Sequence, residues 1–108
     1  MSPPDRLKHI LNEYLQGIRE VLGHELDSLV LYGSQARGEA TDESDIDVLC
    51  IMRGPFDYGE LILKTGEVSA ELSLKHEVVI STAFVTRSDY ERRNTPFLMN
   101  VRREAVPV

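Results

Sequence analysis

The sequence predicts an α/β (α+β) domain on three observations. An amphipathic helical stretch opens the chain, short runs rich in Val, Leu and Ile alternate with helical patterns after it, and turn-forming residues mark the junctions. At 108 residues the chain is expected to form one domain, 1–108, with a single core and no separate substrate-binding domain. Any large acceptor must then arrive as another molecule.

Residues Asp5 to Leu22 place Leu7, Ile10, Leu11, Tyr14, Leu15, Ile18, Val21 and Leu22 at steps of one, three and four, the spacing of one helical face. Gly23 suits the left-handed cap that ends such a helix. "LDSLVLYG" and "SDIDVLCIM" are short, apolar and bounded by turn residues, which predicts two strands. Between them "SQARGEATDES" is polar and predicts a surface turn with one helical turn at its start. Apolar positions from Asp57 to about Leu74 again favour a helical face, interrupted by Gly59 and Gly66. A third strand is expected over "HEVVISTAF". A short helix follows, capped by Asn94 or Thr95 with Pro96 at its first position. The tail "AVPV" can form at most an edge strand, because Pro107 has no amide hydrogen to donate.

Composition narrows the function classes. Lys and Arg total 12 against 18 Asp and Glu, and a net charge of -6 opposes sequence-independent attraction to nucleic acid, so no direct nucleic-acid binding is expected. Arg87, Arg92, Arg93, Arg102 and Arg103 crowd the last quarter and read either as a solvated surface or as a contact for a partner or for nucleotide phosphates. Cys50, the single cysteine, lies in an apolar run and reads as a buried thiol. "MSPPDRLKH" has no signal-peptide pattern and no apolar run reaches membrane-spanning length, so cytoplasmic residence without a membrane partner is expected.

The informative residues lie around the first turn. Asp45 and Asp47 stand two apart on a predicted strand, so both side chains aim at one face. Their flanks Ile46, Val48, Leu49 and Ile51 predict partial burial, where two unpaired like charges are costly, and a bound cation is the economical resolution. Glu77 opens the expected third strand and is either a third carboxylate of that site or a charge that protects a strand edge. Gly33 and Ser34 end the first strand at a turn where backbone amides and a hydroxyl can donate to phosphate. Arg37 could reach the same phosphates or pair with Glu39, Asp42 or Glu43. Ser44, just before Asp45, is a nucleotide contact or only a turn cap. His76 should point away from Glu77 and reads as structural or exposed, and His9 and His24 have little support as metal ligands.

"GSQARGEATDESDID" fits the nucleotidyltransferase signature of Gly-Ser, ten intervening residues and Asp-x-Asp. "YGSQARGEATDESDIDVLCIM" resembles more narrowly the minimal nucleotidyltransferases, antitoxins encoded beside HEPN-domain toxins, and "FLMNVRREAVPV" is similar to that family's closing segment. The resemblance implies a polymerase-β-like core, a mixed central sheet with helices packed mainly on one face. It further implies that ATP and magnesium, with two ions, place AMP on a tyrosine hydroxyl of the toxin. By the same resemblance Gly33 and Ser34 hold the triphosphate, while Asp45, Asp47 and Glu77 hold metal; Arg37 and Ser44 are further candidates for nucleotide contact. Asp47 or Glu77 would take the proton of the attacking hydroxyl. Two positions depart from the pattern: Glu77 stands where aspartate is common, and Ala105 where glycine is frequent after "RRE".

Two other readings compete with that one. The first is a degenerate transferase that masks a toxin by stoichiometric contact, its acidic face giving electrostatic complementarity. The second is a transferase of small molecules such as aminoglycosides, which needs an enclosing pocket that a dimer mate or separate subunit would have to complete. Association into a homo-oligomer or hetero-oligomer is compatible with each.

Overall fold

The computed structural model describes residues 5–39 and 45–108. Helix α1, Asp5–Leu22, buries Leu7, Ile10, Leu11, Tyr14, Ile18 and Leu22 of the face that the spacing predicts, while Leu15 is half-buried and Val21 is exposed. Gly23 ends it with a positive φ of 56° and leads through a 3-10 turn, Gly23–Glu25, into strand β1, Leu26–Tyr32. The five-residue helix α2, Gly33–Arg37, follows at once and is closed by Gly38 at φ 73°.

Strand β2, Ile46–Met52, runs antiparallel to β1, with Tyr32 opposite Asp47 and Val30 opposite Leu49. Helix α3, Tyr58–His76, is capped by Asp57, whose carboxylate accepts from the Glu60 amide at 2.9 Å. Strand β3, Ile80–Thr86, lies parallel to β2, and the intervening α3 supplies the crossover that parallel neighbours require. Two helices finish the chain: α4, Arg87–Arg92, capped by Thr86, and α5, Pro96–Glu104, capped by Thr95 with Pro96 in its first turn. The strand β4, Val106–Pro107, pairs with the outer side of β1. The resulting order, β3-β2-β1-β4, is a mixed sheet.

Alternation along β2 divides the interior. Ile46, Val48, Cys50 and Met52 face α1 and α3 and form the main core with residues such as Ile10, Ile18, Leu61 and Phe84. Leu49 and Ile51 point to the other face, where Val30 of β1 and Val101 of α5 cover them in a smaller cluster. Asp47 shares that second face by the period of two. The Tyr14 hydroxyl ties the layers together, hydrogen-bonded to Ser69 of α3 at 2.9 Å and to Thr82 of β3. Cys50 is buried, and burial pushes its thiol pKa up to about 12, as expected of an inert thiol. Among the described residues no helix is long and apolar enough to cross a membrane.

Two elements differ from the sequence-based expectation. The helix over residues 57–74 runs on to His76, so the third strand begins at Ile80 rather than at His76. Leu72 remains buried in that last stretch, and Glu77 closes the helix in the left-handed region at φ 52°, its amide donating to Ser73 O. Arg6 reinforces this end by donating to His76 O at 2.6 Å. Helix α4 was not expected, because only six residues separate β3 from the Arg93 turn and their pattern is too short to show a period.

The glycines inside helices part company. Gly17 of α1 faces Val68 of α3 so closely that a Cβ would stand 2.7 Å from Val68 Cγ1, whereas a Cβ at Gly66 would meet nothing within 4 Å. Gly66→Ala is expected to stabilise the fold by about 0.5–1 kcal/mol through helix propensity alone. Gly17→Ala forces a stiff β-branched neighbour to move and is expected to lose that gain or reverse it. Thermal unfolding of the two variants side by side checks the difference.

Candidate active site

The site grows from the end of β1. Tyr32 leaves the strand extended, and Gly33 turns the chain with φ 75°, a left-handed conformation that side chains with a Cβ adopt only at a cost. The turn also approaches a carboxylate: a Cβ on Gly33 would sit 2.5 Å from Asp47 Oδ2. Gly33 and Asp47, distant in sequence, are therefore in contact, and Ser34 follows on the first turn of α2. The antiparallel register that sets Tyr32 opposite Asp47 produces this meeting.

Asp47 is half-buried, and burial raises its pKa above the usual carboxylate value. The charge of Asp45 raises it further, Arg37 pulls it down, and Glu104 pushes it up again. Asp45 is exposed, one residue ahead of β2. The two acids are thus electrostatically coupled, one in water and one partly out of it, with Arg37 as the compensating cation. Tyr32 flanks them on β1: burial first, then the Asp47 charge, raise its phenol pKa, and its ring meets Phe97 edge to face at 5.5 Å.

Arg37 lies between two carboxylates. It pairs with Glu39 at 3.0 Å, one of the anticipated partners, and also with Glu104 of α5 at 2.9 Å. Glu104 Oε1 in turn accepts the Gly33 amide at 3.0 Å. Sequence reasoning missed Glu104 as a site residue. The segment "FLMNVRREAVPV" marks the region, but nothing local shows that its carboxylate crosses to the Gly33 turn.

Glu77 is not where it was expected. It caps α3 and is exposed, and the residue level with Asp47 on β3 is Ser81, a hydroxyl in place of a carboxylate. The helix consumed the first residues of the expected strand, so Glu77 lies at the end of α3 and not in the sheet beside Asp47. Among the described residues no group of three His, Cys, Asp or Glu side chains is placed to hold a metal ion. Ser44 lies outside the described residues.

Three of the C-terminal arginines make contacts within the chain. Arg87 pairs with Glu91 at 2.8 Å and Asp27 at 3.1 Å, Arg102 donates to Tyr90 O at 2.7 Å and Arg93 O at 2.8 Å, and Arg103 donates to Asn100. His9 and His76 both bind the Glu13 carboxylate, at 2.8 and 3.1 Å.

Aspartate carboxylates are hard oxygen donors of the kind that take a divalent cation together with waters and phosphate oxygens, so the chemistry of Asp45 and Asp47 is compatible with magnesium. Coupling of Glu104 to Arg37 carries its own pH signature. The hydrogen bond from Arg37, more than any other contact, holds the Glu104 carboxyl below the usual carboxylate range. A depressed carboxylate pKa adds stability that is present above the unfolded-state pKa and lost as pH falls through the folded one. The stability difference between the unmodified protein and Glu104→Gln is therefore expected to be constant near neutrality and to shrink only below pH about 4.5. Denaturant titrations at several pH values check it.

Comparison with known proteins agrees with this geometry. Residues 11–104 match the model of the family described as nucleotidyltransferase domain. A protein of Methanocaldococcus jannaschii, provisionally named a protein adenylyltransferase, is 30% identical over 95 residues, covering 87% of this chain and 89% of that protein. Among solved structures, a protein described provisionally as a minimal nucleotidyltransferase superposes with TM-score 0.58 at 24% identity, over 94% of this chain and 95% of that one. A toxin-antitoxin crystallised with AMP-PNP superposes with TM-score 0.64 at 17% identity, over 89% and 69%. Likeness at these identities concerns the fold, and the family match spans the turn, both aspartates and Glu104 together. The chain belongs to the nucleotidyltransferase-domain family.

Proposed function

We propose that this chain transfers AMP from ATP to a tyrosine hydroxyl of a HEPN-domain toxin and so acts in the cytoplasm as its antitoxin. The observation that supports this reading is the contact between the Gly33 turn and the Asp47 carboxylate. The name of the Methanocaldococcus relative and the AMP-PNP in the toxin-antitoxin structure support the choice of adenylate and of a protein acceptor.

In this reaction the tyrosine oxygen bonds to the α-phosphorus, the bond from that phosphorus to the bridging oxygen breaks, and pyrophosphate departs with the electron pair. Asp47 takes the phenolic proton, its raised pKa bringing it nearer the range of a useful base. Ser34 and Arg37 receive phosphate oxygens, and Ser44 joins them by its place in the sequence. Asp45 and Asp47 would hold magnesium, which when bound supplies neutralisation of the charge that builds on the phosphates. Glu77, at the end of α3, has no part in this scheme.

Stoichiometric masking keeps one observation in its favour: Ser81 stands beside Asp47 where a carboxylate would complete a trio. The two readings separate on incubation with α-labelled ATP, magnesium and a candidate HEPN-domain toxin. Transfer predicts label on a toxin tyrosine, lost on phosphodiesterase treatment. Tight association without label under every triphosphate and divalent ion tried would favour masking.

A further inference from the structure

We propose that Glu104 is a positioning residue of the active site, a carboxylate that pins both ends of α2 so that Ser34 is presented to the nucleotide. The inference rests on the transfer reaction proposed above and adds to it a residue on a different helix. Glu104 Oε1 accepts the amide of Gly33, the first residue of α2, at 3.0 Å, and Oε2 accepts Arg37, the last, at 2.9 Å. One side chain thus bridges the start and the end of the element.

Three physical points give the bridge its role. A helix of five residues cannot hold itself, because its nucleation cost exceeds what so few hydrogen bonds return, so α2 takes its position from outside contacts. Glu104 is itself the last residue of α5, where the helix dipole disfavours an anion, and a carboxylate there needs partners that outweigh that position. Gly33 and Arg37 are those partners. Finally, the Gly33 amide is occupied by Glu104, so the phosphate-binding work of the turn falls on Ser34 and the amides beyond it, while Gly33 contributes its left-handed conformation and its lack of a Cβ.

The test uses two variants and two readouts. Glu104→Ala removes both bonds, whereas Glu104→Gln keeps an acceptor for the Gly33 amide but no charge for Arg37. Hydrogen exchange at the Gly33 amide is expected to accelerate in Glu104→Ala and to stay slow in Glu104→Gln. With ATP and magnesium, well below the melting temperature of each variant, kcat/KM is expected to fall about 10- to 100-fold in Glu104→Ala, and Glu104→Gln to remain within about 10-fold of the unmodified protein. Unchanged kcat/KM in Glu104→Ala, with only its melting temperature lowered, would reduce Glu104 to a structural tie. Raised kcat/KM would make the carboxylate a competitor of phosphate; both results overturn the proposal, as does Gly33 exchange indifferent to the residue at 104. Failure of the transfer reaction itself would show in the unmodified protein. Gly33 exchange, and the affinity for AMP-PNP with magnesium, would then still decide whether Glu104 sets the turn.

Discussion

On the proposed reaction, Asp45→Asn combined with Asp47→Asn is expected to lower AMP transfer by at least about 1000-fold, because it would remove the two carboxylates to which the proposal gives the metal and the proton. The fold should not suffer. Asp47 is half-buried beside a like charge, and both causes raise its pKa. A carboxylate whose folded pKa is raised adds stability only below its unfolded pKa, and that contribution is lost as pH rises through the folded value. At neutral pH the ionised pair therefore opposes folding, and Asp47→Asn alone is expected to raise the melting temperature slightly, an advantage that fades as pH falls through the raised pKa. Calorimetry against pH checks the sign, and association with the partner should survive. Residues kept at a cost to stability are what a reactive site requires.

Gly33→Ala is the second large effect. Two terms combine: a left-handed φ of 75° costs a residue with a Cβ about 1–2 kcal/mol, and that Cβ would press on Asp47 Oδ2 at 2.5 Å. Relief requires either the turn or the carboxylate to move by a substantial fraction of an ångström, and misplacement by about 1 Å costs on the order of 100-fold in rate. Gly23→Ala is the matched control. Gly23 shares the positive φ, at 56°, but a Cβ there meets nothing within 4 Å. It is expected to lose similar stability with activity unchanged, so steady-state kinetics on the two variants separates backbone strain from intrusion on Asp47.

Much of this arrangement was legible in the residues. The face of α1, the two strands around the turn, the Thr95 cap with Pro96, and the edge strand at the tail all follow from period, propensity and the missing amide of proline. The acidic pair and the Gly33 turn were legible too, since spacing and the resemblance pointed to them together. Glu77 misled because a helix end and a strand start share a sequence: the helical face carried on through Leu72 to His76, and only the left-handed cap at Glu77 shows where it stops. Glu104 was invisible for another reason. Its partners lie 71 and 67 residues earlier in the chain, and no local pattern records a contact that the packing of α5 against α2 creates.

The most direct test of a shared site maps manganese, in place of magnesium, bound with AMP-PNP onto the amide resonances of the protein. Broadening should centre on Ser34, Asp45 and Asp47 and vanish in the doubly substituted Asn variant. Broadening that leaves these amides untouched, or gathers elsewhere on the surface, would contradict the account.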